Sequence, residues 1–242
     1  MNAATETTLR VMPREMRMMS ERILSLTGLP KGFVLAETDI IMLSQGLGLG
    51  GFALIEDRFD ALKLADPAAI TIASEDGPVL RLDAAGQHAW VAIPSLLDLA
   101  GELVARFGTA EITVANVVDE SELQVAAEYG RRRGLRIALD ANDGHLLLAT
   151  PLRLAGDLAT DEPVLWSLLT DGTPIAADLW WRIYERAQKA LTPDSVVSRR
   201  HAGPLIVNDD GTVIGRRDND DETDISFLAA PDGGRETERQ TS

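Results

Sequence analysis

Residues 111–140 constrain the fold more than any other stretch of this chain. Ile112 and Val114 alternate as a strand, and Leu123, Ala126 and Ala127 recur at helical spacing before Leu135, Ile137 and Leu139 alternate again. Asp119 or Ser121 is expected to cap the helix, Arg131, Arg132 and Arg133 complement the negative end of its dipole, and Gly134 stops it. Strand, helix and strand in about 30 residues is the length of a right-handed βαβ unit with parallel strands. His145 to Leu148 is expected to return beside it through Asn142-Asp143-Gly144. The fold class that follows is α/β (or α+β) with a mixed sheet.

The flanks add elements to this centre. Pro13 at a first helical turn and Gly28 with Pro30 at its end predict a helix over 13–27. A second helix is predicted over 31–47, with Ala36, Ile40, Leu43 and Leu47 on its buried stripe and Glu37, Ser44 and Gln45 on another face. Phe52, Ile55, Phe59 and Leu62 mark a third. Strands are predicted at 69–72 and 79–82 around Gly77-Pro78, at Trp90–Ile93, and at Val164–Leu168. Pro94 and Ser95 are expected to open a helix that Gly108 ends, and Trp180, Ile183, Tyr184, Ala187 and Leu191 the buried stripe of another over 176–191. Leu205–Val207 and Thr212–Ile214, joined through Asn208-Asp209-Asp210-Gly211, predict a hairpin. The expected organisation is a flexible 1–12, a single domain over 13–215 (helical over 13–66, sheet-containing over 67–215), and a disordered acidic tail over 216–242.

Composition excludes several classes of function. The formal net charge of −15 over 242 residues disfavours a nucleic-acid backbone and an anionic lipid surface as partners. The absence of cysteine removes disulfides, thiolate nucleophiles and cysteine metal sites. Charges interrupt the apolar residues of 1–24, so no signal peptide is read there, and no run approaches the roughly 20 apolar residues of a membrane span. A soluble cytoplasmic protein is the expectation.

Ser198-Arg199-Arg200-His201-Ala202-Gly203 places a hydroxyl, two guanidiniums and an imidazole on one connector. Arg199 and Arg200 are expected to clamp a carboxylate or phosphate, and Ser198 or His201 to move protons. The competing reading is a loop whose arginines pair with the protein's own carboxylates. Asn116 and Asp140 stand at the carboxyl ends of the two strands of 111–140, the edge where open α/β sheets bind ligands. Turn and cap preferences explain the same residues. Gly46, Gly48 and Gly51 satisfy G-x-G-x-x-G, yet the residues before them keep the helical period, so a glycine-rich joint between helices is expected rather than a pyrophosphate cradle. His88, His145 and His201 have no partner at a metal-binding spacing, and no metal is expected.

Pro13-Arg14-Glu15, Gly28-Leu29-Pro30-Lys31-Gly32, Ser198-Arg199, Ala202-Gly203 and Asn208-Asp209 together resemble an uncharacterised bacterial family classified as a domain of unknown function. That family carries smaller residues at His201 and Pro204. The resemblance implies a soluble bacterial protein and no particular activity. The N-terminal helix pair is also similar to the malate/lactate dehydrogenase-like oxidoreductases, which use nicotinamide cofactors, with Leu47-Gly48-Leu49-Gly50 where they carry Ser-His-Gly. The expected function is a small-molecule metabolic enzyme acting on an anionic metabolite. The alternatives are a non-catalytic partner subunit or interaction module of a metabolic enzyme, and a nicotinamide-dependent oxidoreductase; the expected partners are an anionic small molecule and either a second copy in a homo-oligomer or a partner enzyme subunit.

Overall fold

The computed structural model describes residues 7–140, 146–191, 205–207, 210 and 213–215. The chain divides into two compact units, Met1–Leu191 and Thr192–Ser242. In chain order the first holds β1 (Thr8–Val11), α1 (Pro13–Leu24), α2 (Lys31–Gly46), α3 (Gly51–Lys63), β2 (Thr71–Asp76), β3 (Val79–Asp83) and α4 (Ala89–Phe107). It continues with β4 (Ala110–Ala115), α5 (Val125–Arg131), β5 (Leu135–Leu139), β6 (Leu146–Pro151), α6 (Leu158–Asp161), α7 (Pro163–Asp171), β7 (Thr173–Ala176) and α8 (Ala177–Gln188). In the second unit β8 (Leu205–Val207) and β9 (Val213–Gly215) pair antiparallel, as the hairpin reading expects.

The fold is mixed α/β. Five strands form one sheet in the order β2-β3-β4-β6-β5. β3 and β4 are parallel neighbours joined through α4, so the adjacent βαβ unit runs from 79 to 115. The expected unit at 111–140 is split: β6 lies between β4 and β5, antiparallel to both, which leaves those two parallel but not bonded to each other. The return of 146–148 beside the unit is therefore what separates its strands. Alternation sets the sheet's two faces, with Leu80, Leu82, Ile112, Val114, Leu135, Ile137, Leu147 and Ala149 buried on the side that meets α4 and α5.

Three predicted elements are corrected. Trp90–Ile93 is the first part of α4, not a strand; His88 caps it by accepting the Trp90 N–H at Nδ1 (3.1 Å), and Pro94 sits inside it. Val164–Leu168 is α7, opened by Pro163 at its first position, where the missing N–H costs nothing. Thr8–Val11, within the stretch expected to be flexible, pairs antiparallel with β7.

α2 departs from its expected polarity. Glu37 and Ser44 are fully buried while Leu47 is exposed, because α2 packs against α1, α3, α4, α5 and α7 at once. A helix enclosed on that many sides has little solvent face to reserve for polar residues, and part of that little is taken by Leu35. The Phe52, Ile55, Phe59 and Leu62 stripe of α3 is buried as predicted, with Phe52 edge-on to Trp180 at 5.4 Å between ring centroids.

Candidate functional site

The connectors leaving the carboxyl ends of β3 and β4 are bonded to each other. The Ala84 N–H donates to the Ala115 carbonyl (2.8 Å), that of Gly86 to Asn116 (2.7 Å), that of Val118 to Gln87 (3.0 Å) and that of Ala89 to Val118 (2.9 Å). Ala85, Asn116 and Asp119, with φ of 51°, 52° and 53°, are the non-glycine residues with positive φ among the described residues, and all three lie on these connectors. Asn and Asp enter that region readily, but alanine pays for it. Strain of this kind concentrates where a ligand or switch is held. Asp83 accepts the Ala85 N–H (2.8 Å) and the Asn116 Nδ2–H (3.0 Å), which hold its carboxyl below the usual range.

Beside these connectors α3 supplies Arg58. Its Nε and Nη2 donate to Asp119 Oδ2 (2.7 Å) and Oδ1 (3.0 Å), so the guanidinium grips the carboxylate bidentately and holds its acidity high. His88 Nε2 lies 3.2 Å from Asp119 Oδ2 but off the line of a hydrogen bond. Because Nδ1 accepts the Trp90 N–H, the neutral ring carries its proton on Nε2. Burial pulls the His88 imidazole down to about 4, against the opposing pull of the Asp119 carboxylate. The ring is neutral at pH 7 and both nitrogens face protein groups, so His88 positions the connector and is not presented as a general base. A cleft of about 280 Å³ opens here, lined by Arg58, Gln87 and His88 on its polar side and by Leu64, Ala65 and Val118 on its apolar side.

The glycine run joins α2 directly to α3, with no strand before it, as the helical period predicts. The N–H groups that open α3 are already filled. Gly50 donates to Glu122 Oε1 (2.7 Å), Gly51 to Ser44 Oγ (2.9 Å) and Phe52 to Gln45 Oε1 (3.1 Å). Glu122 Oε2 also accepts from the Ser44 hydroxyl (2.6 Å) and Trp90 Nε1 (2.8 Å). A helix start of this kind attracts an anion; here a carboxylate of the same chain occupies the place a pyrophosphate would take. Gly51 is required by shape: its φ is +47°, and a Cβ there would press on the Gln45 side chain and lie 2.9 Å from the Gln45 Cα. NADH and NADPH titrated to micromolar concentrations are accordingly expected to leave nicotinamide fluorescence unchanged. Micromolar binding that Gly48→Val abolishes would overturn this reading.

Of the residues singled out in the sequence, Asn116 stands in this site through its bond to Asp83. Asp140 follows β5, two strands from β4 and so about 10 Å across the sheet, and its N–H donates to the Leu146 carbonyl (2.9 Å). Ser198, Arg199, Arg200 and His201 lie outside the described residues, as does His145. Asp119 is corrected from a helix cap to the partner of Arg58 and His88. Arg131 to Arg133 are not a solvated helix end either: Arg131 donates to the carbonyls of Asp161 (2.6 Å) and Thr160 (2.8 Å), Arg132 pairs with Asp39 and Glu162, and Arg133 with Asp98. Sequence reasoning missed Arg58 and Glu122, whose partners lie far off in the chain, and His88, whose bond to the nearby Trp90 N–H belongs to no recognised motif. Among the described residues no cluster of His, Asp and Glu suited to a metal ion occurs, and no helix is long and apolar enough to cross a membrane.

No family model and no curated protein matches the chain. Among solved structures it is similar to the sulfolactate dehydrogenase of Methanocaldococcus jannaschii, at 15% identity over 52% of this chain and 38% of that one, with a TM-score of 0.42. It is similar also to the malate dehydrogenases of Entamoeba histolytica (17%, 54% and 38%, TM-score 0.41) and Pyrococcus horikoshii (15%, 56% and 40%, TM-score 0.43). The chain thus spans about two-fifths of the length of these dehydrogenases. At that level the likeness is a partial one of chain course and assigns no residue a role.

Proposed function

We propose that the protein recognises a small anionic molecule in the cleft at the carboxyl edge of β3 and β4, with Arg58 as the cation that selects it. The observation that carries this reading is the placement of an exposed guanidinium beside an apolar wall, over strained connectors, at the edge where α/β sheets take ligands. A carboxylate or phosphate on a compact apolar body fits such a lining. Asp119 holds Arg58 in the free protein and competes with the ligand for it.

The competition supplies the test. Arg58→Gln is expected to abolish stabilisation by whichever carboxylates or phosphates raise the melting temperature in a thermal-shift panel, while moving the ligand-free melting temperature little. Asp119→Asn keeps a residue suited to positive φ and releases Arg58, and is expected to tighten the same ligand several-fold. Anions that stabilise both variants as they do the parent protein would sink the proposal.

A second reading, a non-catalytic partner subunit of a metabolic enzyme, is favoured by the internal engagement of His88 and Glu122. A stoichiometric enzyme recovered with the protein, and no turnover by the protein alone, would support it. Ser198 and His201, with Arg199 and Arg200 as a clamp, are the groups we propose for any turnover of its own. Arg199→Ala and Arg200→Ala would then lower it without lowering stability.

A further inference from the structure

Given the anion reading of the cleft, on which this rests, we infer that His88 receives the Asp119 carboxylate when an anion takes Arg58. Binding then exchanges one partner of Asp119 for another. The His88 side chain is 4% exposed, and its Nε2, which carries the ring proton, has no hydrogen-bond partner among the described residues. Buried polar groups in folded proteins are nearly always paired, and an unpaired donor costs stability. This one stands 3.2 Å from Asp119 Oδ2, off the line of a bond while that oxygen accepts from Arg58 Nε.

The imidazole is pinned. Its Nδ1 accepts the Trp90 N–H (3.1 Å), the Trp90 ring lies 4.4 Å away between centroids, and a parallel bridge ties the backbone at His88 to Val118, the residue before Asp119. A second ring proton would sit on Nδ1 and face the Trp90 N–H, so the cap keeps the ring neutral and Nε2 a donor. Asp119 has the freedom that His88 lacks. Its carboxylate faces two groups, the Arg58 guanidinium and the His88 imidazole. Turning it out of the guanidinium fork toward Nε2 uses its terminal torsion, which is soft, and leaves the connector in place.

The exchange explains how an anion wins Arg58 from a carboxylate that already grips it at two atoms. The Asp119 side chain is only 19% exposed, so losing Arg58 with no other donor at hand would leave a mostly buried charge unpaired. With His88 in place, the same step gives Nε2–H the acceptor it lacks. Arg58 is matched throughout, by Asp119 before binding and by the ligand after it. His88 is thus a positioning residue, which acts on the ligand through Asp119 and Arg58.

Titration of the full chain with butyrate, a carboxylate on a short apolar body, and with inorganic phosphate tests this, followed by NMR of the histidine-ring N–H groups. The His88 Nε2–H signal, assigned through the adjacent Trp90 ring, is expected to move downfield to a hydrogen-bonded position as anion is added, and not to move in Arg58→Gln. His88→Asn keeps the cap, because Asn is a favoured N-cap residue and its Oδ1 takes the place of Nδ1, but it lacks the donor. It is expected to weaken the anion about tenfold. In the Asp119→Asn background no carboxylate has to be rehoused, and adding His88→Asn is expected to change the affinity less than about twofold. Shifts absent with both anions, or surviving Arg58→Gln, overturn the anion reading and the exchange with it. Arg58-dependent binding that leaves the His88 proton unmoved overturns the exchange alone. So does binding that His88→Asn weakens equally in both backgrounds, or not at all.

Discussion

Replacing Glu122 by alanine is expected to cost the fold roughly 3–5 kcal/mol, the range in which breaking a buried charged network falls. The carboxylate is buried and accepts three donors, from Ser44, Gly50 and Trp90, drawn from α2, the start of α3 and α4. Alanine leaves all three without an acceptor, and the Ser44 hydroxyl also loses the partner that orients it toward the Gly51 N–H. Urea unfolding followed by far-ultraviolet circular dichroism reads the loss. The site's anionic character gives a second, sharper readout. Because the removed group filled an anion slot, formate or acetate at tens of millimolar is expected to recover part of the stability of Glu122→Ala and none of the parent's. A loss below about 1 kcal/mol, or rescue equal in the parent protein, would show that Glu122 does not serve as the internal anion of α3.

The same network explains which parts of the molecule are legible in the sequence. Helices with a long one-sided period, such as Phe52, Ile55, Phe59 and Leu62, are read correctly because a single burial direction writes itself into local spacing. The 79–83 strand and its turn at Gly77-Pro78 are legible for the same local reason. Short apolar runs are not: Trp90–Ile93 and Val164–Leu168 suit a buried strand or a buried helix equally. The cap that decides the first is an imidazole, outside the usual Ser, Thr, Asp and Asn set. The insertion of β6 between β4 and β5 is a matter of strand order, which residue spacing does not encode. The site is less legible still. Ser44 and Glu122 are 78 residues apart, and Arg58 and Asp119 61, so neither pair leaves a spacing signature. What spacing did disclose was the glycine run as a joint between two helices.

Glu37 carries the other large expectation. It lies at the middle of α2, fully buried, with neither carboxyl oxygen hydrogen-bonded. Burial raises its carboxyl from 4.5 to about 8, so the folded protein holds this acid protonated at neutral pH. The unfolded chain releases that proton above about 4.5, which favours unfolding. The contribution of Glu37 to stability is therefore intact below pH 4.5, falls on the order of 1 kcal/mol per pH unit between 4.5 and 8, and is constant above. Glu37→Leu, close in volume and free of the titration, is expected to raise the unfolding free energy at pH 7 by roughly 2–4 kcal/mol. The sign of the pH dependence separates this from simple repacking. The gain over the parent is expected to grow from pH 4.5 to pH 8 and then level off, and Glu37→Gln is expected to remove the same slope without matching the leucine's gain, since its amide is left unpaired. Unfolding curves at pH 5, 6, 7 and 8 decide the matter: a difference between Glu37→Leu and parent that does not change with pH would mean that Glu37 is ionised alike in the folded and unfolded chain, and that α2 tolerates a buried charge by some partner other than a proton.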